Sequence, residues 1–202
     1  CGIGYFLHEA KKRGWEVHGT EYTDLAIEIC ESKDIQMKQG KLDVKNYNLE
    51  EFDIITSFEV LEHINNPLEE LQNFNKLIRT DGLVYLTTPN FNSLLRYKLK
   101  EKYDVITYPE HLSYYTPKTL KKLFRISGFA TKKIETTGIS LSRLKAPKQE
   151  SYVSPISQNS EDEHLRTKFE KNKLLKASKL IINTSLTTFG IGDSLKGWFI
   201  KK

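Results

Sequence analysis

Phe52-Asp53-Ile54-Ile55-Thr56-Ser57 and Leu83-Val84-Tyr85-Leu86-Thr87-Thr88 decide the fold. Each is a short run rich in β-branched and apolar residues, the pattern of a buried strand. Between them Pro67 opens a run to about Ile78 that reads as a helix, because proline suits the first helical turn. Asp81-Gly82 is expected to turn the chain, and Pro89-Asn90 to close the second strand. Strand, helix and strand in that order predict βαβ units and a mostly parallel sheet.

The same alternation extends in both directions. Residues 5–13 read as a helix, Glu16 to Thr20 as a short strand, Asp24 to Ser32 as a helix and Ile35 to Lys38 as a short strand. Downstream, Thr116-Pro117 starts a helix through Ser127 with Leu120, Leu123 and Phe124 on one face, and Gly128 ends it. Phe129 to Thr137 is the next strand. Lys145 to Glu163, rich in Ser, Pro, Gln and Asn, reads as a loop, Leu165 to Leu186 as a basic amphipathic helix, and Asp193 to Ile200 as a last strand. This divides the chain into a core over 1–140, a helical insertion or cap over 141–190 and a final strand over 191–202. The chain opens on Cys1-Gly2-Ile3-Gly4, a turn motif with no strand before it, so an N-terminal helix and first strand are expected upstream.

Composition narrows the class. The 202 residues are 38% hydrophobic and 28% charged, enough for a packed core. No apolar run reaches the ~18 residues of a membrane span. Cys1 and Cys30 cannot build a disulfide framework or a zinc site of C-x-x-C type, and no secretory leader is evident. A reducing, cytoplasmic setting is the corresponding expectation. Charge is uneven: residues 1–100 hold 12 Lys+Arg against 16 Asp+Glu, and residues 101–202 hold 19 against 10. The basic second half suits an anionic partner such as a nucleotide-sugar, a phospholipid surface or RNA.

In parallel α/β sheets, ligands bind at the carboxyl ends of the strands. That rule gathers Gly2, Gly4, Glu21, Asp43, Ser57 to His63 and Pro89-Asn90 on one rim. Glycines before a helix let a ligand approach the backbone, and the helix amides favour an anionic group. A dinucleotide turn wants a third glycine at position 7, where Leu7 stands, and this disfavours a pyrophosphate ligand. Glu21, ending the second strand, can accept both hydroxyls of a ribose. Tyr22 can lie against a purine, and Asp43 can accept from an exocyclic amine. If Ser57-Phe58-Glu59-Val60-Leu61-Glu62-His63-Ile64 begins a helix, Glu59, Glu62 and His63 share one face. With His111 of Pro109-Glu110-His111-Leu112 they suit a divalent cation. His63 or His111 could equally serve as a general base.

The ordered set Cys-Gly-Ile-Gly-Tyr-Phe-Leu at 1–7, Gly19-Thr20-Glu21, Leu42-Asp43, Phe52 to Ile55, Glu59-Val60-Leu61-Glu62-His63, Asn66-Pro67, Asp81-Gly82, Thr88-Pro89-Asn90, His111 to Thr116 and Gly128-Phe129 resembles class I S-adenosylmethionine-dependent methyltransferases. The ubiquinone-biosynthesis O-methyltransferase branch is the most similar, over residues 1–140. The resemblance implies a Rossmann-like, doubly wound sheet of seven strands with the last one reversed. It implies S-adenosyl-L-methionine as cofactor, with Gly2 and Gly4 under its methionine part, Glu21 on the ribose, Asp43 near the adenine and Phe58 beside it. Relatives with Glu-x-x-Glu-His imply a metal site at Glu59, Glu62 and His63, with His111 as fourth ligand and magnesium or a similar ion bound.

The expected reaction is in-line methyl transfer from a sulfonium to a hydroxyl oxygen of a small-molecule, glycan or lipid-linked acceptor. A metal would lower the acceptor hydroxyl's pKa, and without one His63 or His111 would take the proton. Leu174, Leu175, Leu180 and Ile181 give the insertion an apolar side that could cover the acceptor, rest on a membrane surface or pack on the core. Two rivals stand: a nicotinamide-dependent oxidoreductase, and a non-catalytic methyltransferase-like domain that recruits RNA or a protein. Nucleic acid ranks last among the partners, because no aromatic-basic signature is present.

Overall fold

The computed structural model describes residues 1–140 and 173–202. The loop expected over Lys145 to Glu163, and the start of the helix expected from Leu165, lie outside the described residues. In chain order the elements are α1 (Tyr5–Lys11), β1 (His18–Glu21), α2 (Asp24–Glu31), β2 (Gln36–Gln39), β3 (Phe52–Phe58) and α3 (Pro67–Leu77). Then follow β4 (Ile78–Pro89), α4 (Leu94–Leu99), α5 (Pro117–Ile126), β5 (Phe129–Thr137), α6 (Lys173–Phe189) and β6 (Ser194–Lys201).

The alternation expected from the sequence is present, and its local causes are visible. Asn66 caps α3 by accepting from the Glu69 amide, and Pro67 fills the first turn. Thr116 and Thr119 form a reciprocal capping box on α5, again with proline at the start. The Asp81-Gly82 turn differs from the expectation. Phe52 pairs with Ile78 and Ile54 with Leu83, so the turn is a bulge inside one long strand. Asp81 takes φ 61° there.

The main sheet has the order β3-β4-β6-β5. β3 and β4 run parallel, while β6 runs antiparallel to both β4 and β5. The reversed last strand is therefore inserted between β4 and β5, as the resemblance implies. β1 and β2 form a separate parallel pair. The seven strands implied by the resemblance appear as six among the described residues, in two sheets. Rings bridge the facing edges: His18 meets Phe52 at 5.3 Å and Phe6 meets Phe58 at 5.0 Å. One contact joins the starts of β1 and β3. The other brings α1, close behind Gly2 and Gly4, to the end of β3. Glu21 and Phe58 thus finish their strands on one rim.

Along β4 the core face carries Val84, Leu86, Thr88 and Asn90, all buried, while Tyr85 and Thr87 are half-buried on the other face. Leu71, Phe74, Leu120, Phe124, Phe129, Leu195 and Phe199 pack on the core face. Phe124 of α5 stacks on Phe199 of β6 at 3.6 Å between ring centroids, which clamps α5 to the sheet.

Candidate active site

Gly2 and Gly4 both have positive φ, 56° and 70°, but the space around them differs. A Cβ on Gly4 would stand 2.7 Å from Cys30 Sγ and 2.9 Å from Ile35 Cδ1, so its glycine serves packing. A Cβ on Gly2 would meet nothing within 4 Å. The backbone at Gly2 is the open part of the turn, where a ligand can approach.

The Glu21 carboxylate organises this turn. Oε2 accepts from Gly2 N at 2.8 Å and from the Cys1 nitrogen at 3.0 Å. Oε1 accepts from Tyr22 N at 2.8 Å and Thr23 N at 3.3 Å. Partial burial acts to raise its pKa. The Tyr22 and Gly2 amides act to lower it. A carboxylate has about four acceptor positions, and all four are engaged. Tyr22, next in the chain, is exposed; Asp43 is exposed as well, and its side chain caps the turn Val44–Asn46 by accepting from Lys45 N at 3.0 Å. Phe58 ends β3 between the rings of Phe6 and Tyr85.

The stretch from Ser57 to Ile64 does not begin an α-helix. Glu59 takes φ 51° and its amide donates to Thr87 O, and a 3-10 turn follows over Leu61–His63. The shared face expected for Glu59, Glu62 and His63 is corrected accordingly: a left-handed residue breaks helical spacing. The side chains converge by another route. Ligand atoms of Glu62, His63 and His111 all lie within 4.8 Å of one another, and the Glu59 carboxylate is outside that set. Burial raises the Glu59 pKa, with Thr87, His111 and His63 acting the other way and Glu62 adding to the rise.

Three backbone ties carry His111 to the turn. Leu112 N and Ser113 N both donate to Glu62 O, at 2.8 and 3.1 Å, and His63 Nδ1 donates to Glu110 O at 2.8 Å. His111 Nδ1 donates to Val105 O, also at 2.8 Å. A carbonyl has no proton to give, so each imidazole carries its hydrogen on Nδ1 and leaves Nε2 free as ligand or base. The two rings meet at 4.8 Å. Such carbonyl-anchored histidines are what metal sites and general bases both require.

Two further groups belong here that the sequence reading did not assign to the site. Thr88, fully buried, donates its hydroxyl to Glu62 Oε2 at 2.9 Å, and Glu62 itself is only 2% exposed. Tyr114 places its ring 6.2 Å from His111 and 5.6 Å from Phe91, with a buried hydroxyl that has no protein partner among the described residues. Alternation along β4 carries the signal for Thr88. It falls on the same face as Val84 and Leu86, and a hydroxyl there needs a partner.

A family model described as a methyltransferase domain matches residues 1–134, and the chain belongs to this family. Ubiquinone biosynthesis O-methyltransferases from Haemophilus ducreyi and Glaesserella parasuis are 29% and 49% identical to it over 101 residues. Each match covers 45% of this chain and 43% of the relative, so the chain spans less than half the length of these curated relatives. An S-adenosylmethionine-dependent methyltransferase from Archaeoglobus fulgidus superposes with a TM-score of 0.64 at 20% identity, over 100% of this chain and 83% of that one. The fold is therefore the Rossmann-like methyltransferase fold. These findings favour methyl transfer over the nicotinamide and RNA-recruiting readings. No helix among the described residues is long and apolar enough to cross a membrane.

Proposed function

We propose that this chain transfers a methyl group from S-adenosyl-L-methionine to a hydroxyl oxygen of a small-molecule, glycan or lipid-linked acceptor. The observation that carries the reading is the meeting of Glu62, His63 and His111, with both Nδ1 atoms engaged, on the rim that also holds Gly2 and Glu21. The open backbone at Gly2 and the carboxylate of Glu21 fit the methionine and ribose parts of the cofactor, with Tyr22, Asp43, Phe58 and, behind the turn, Gly4 around them. When bound, that cofactor supplies an electrophilic methyl group. The protein's own work is to align the acceptor and accept its proton.

Ribose hydroxyls would take over acceptor capacity now spent on backbone amides, of which the Thr23 contact, at 3.3 Å, is the longest. His63 Nε2 or His111 Nε2 accepts the acceptor's proton. The same donors, with Glu62 and the nearby Glu59, also suit magnesium or a similar ion, which when bound would lower the hydroxyl's pKa. Residues 1–140 and 191–202 are read as the core and 141–190 as a basic helical insertion or cap, of which 141–172 lie outside the described residues. A cytoplasmic setting goes with two free cysteines.

The test is transfer of labelled methyl groups to a panel of phenolic, glycan and lipid hydroxyl acceptors, with magnesium or with a chelator. Product formation that His63→Ala and His111→Ala each reduce by at least ~100-fold supports the reading. Loss on chelation assigns the pair to metal binding, and insensitivity to chelation assigns it to base catalysis. Unchanged transfer in both variants overturns the site.

A further inference from the structure

The chain passes from β4 to α4 through Phe91, and both sides of that residue are tied. Its N–H donates to Tyr115 O at 2.7 Å, and its carbonyl accepts from Arg96 Nε. The Arg96 guanidinium also lies over two rings, Phe91 at 4.2 Å and Tyr97 at 4.4 Å. Tyr97 is itself fixed: its hydroxyl donates to Asn92 Oδ1 at 2.8 Å, and Asn92 Nδ2 donates to Gly190 O at 3.1 Å. α4 is pinned by Ser93, which is fully buried and caps the Arg96 amide, and by Leu95, which packs with Val105. Val105 is the residue whose carbonyl anchors His111.

The structural duty of Arg96 ends at Nε. Nη1 and Nη2 have no hydrogen-bond or carboxylate partner among the described residues, and both reach solvent. A guanidinium stacked on rings and bonded at Nε keeps its fork preorganised, and that fork matches a carboxylate or a phosphate. A row of rings leads from it to the histidine pair: Phe91 to Tyr114 at 5.6 Å, Tyr114 to His111 at 6.2 Å and His111 to His63 at 4.8 Å. We propose that Arg96 selects the acceptor by binding a carboxylate or phosphate group that the acceptor carries. The inference rests on the methyl-transfer reading for the place of the acceptor hydroxyl at the histidines. It adds that the hydroxyl and the anionic group lie at opposite ends of this row. A neutral acceptor leaves the fork on water and gains nothing from it.

The test is calorimetric titration of the full chain with two matched pairs, 4-hydroxycinnamate against its methyl ester and glucose 6-phosphate against glucose. Tighter binding of the charged member of at least one pair is expected, by about 10-fold to 150-fold, the effect of hydrogen bonds to a charged group. The pair that shows it tells carboxylate from phosphate. Arg96→Met should remove the preference. Arg96→Lys, which keeps stem and charge but not the fork, should lower it and decides the matter if the methionine variant does not fold. Lys98→Gln removes an exposed cation from the same helix and should leave the preference whole. Thermal unfolding verifies that each variant is folded. An arginine that serves only the Phe91 carbonyl would not sort ligands by charge. Equal affinity within both pairs, or no binding of either charged member, overturns the inference. So does a preference that either Arg96 variant leaves unchanged, because the chain's net charge of +5 would then account for it. The readout needs no methyl transfer, so failed transfer and failed recognition are separate results.

Discussion

Thr88→Val isolates the contact that supports the histidine cluster from within the core. Thr88 is fully buried and Glu62 is 2% exposed, and one 2.9 Å hydrogen bond joins them. Valine keeps the shape of threonine and replaces the hydroxyl with a methyl group. The Glu62 oxygen then loses a donor with little room for water to replace it. A hydrogen bond to a charged acceptor contributes about 1.5–3 kcal/mol. For a chain of this size each kcal/mol moves the melting temperature by about 2–4 °C, so a fall of about 3–12 °C is expected. Thermal unfolding followed by circular dichroism measures it, with urea midpoints as a second probe. Thr131→Val, on an exposed position of β5, is the control and should stay within about 0.5 kcal/mol. If Glu62 serves as a ligand, Thr88→Val should also weaken manganese binding by about 10–100-fold. A Thr88→Val protein as stable as the control would refute the idea that this bond holds Glu62.

Asn90 donates to Gly190 O and Gly192 O, at 3.0 and 2.7 Å, from a fully buried position. Asn90→Asp would set a carboxylate against two carbonyls and should cost at least about 3 kcal/mol, readable as a lower urea midpoint; a neutral effect would mean the β4–β6 junction is held otherwise. Gly4→Ala should destabilise by about 1–3 kcal/mol, from both its left-handed φ and the 2.7 Å approach to Cys30, whereas Gly2→Ala should cost less and chiefly weaken ligand binding. Equal losses of stability in the two variants would contradict the division of roles drawn between these glycines.

The architecture was legible because its strands and helices carry strong local signals. Phe129 to Thr137 forms β5 at the expected bounds, and Pro67 and Thr116-Pro117 start helices where their chemistry requires. The reversed position of β6 was legible only through the family resemblance, since no periodicity in Ser194 to Lys201 specifies its neighbours. The site was legible in composition and misread in local geometry. Glu62, His63 and His111 do meet, but helical spacing is not the cause: Glu59 adopts a left-handed conformation, and the backbone ties of Leu112 and Ser113 to Glu62 O bring His111 in. Contacts made by backbone atoms 50 residues apart leave no periodic trace. Gly4 shows the same limit, because its close approach to Cys30 and Ile35 exists only once α2 and β2 are packed.

The most direct measurement is a calorimetric titration of the chain with S-adenosylhomocysteine, repeated on Glu21→Ala after its fold has been verified. Saturable one-site binding that the substitution weakens by roughly 10-fold to 150-fold is the predicted result, the effect of removing hydrogen bonds to a charged group. Identical affinity in parent and variant, or no binding by the folded parent, would contradict a cofactor site on this rim.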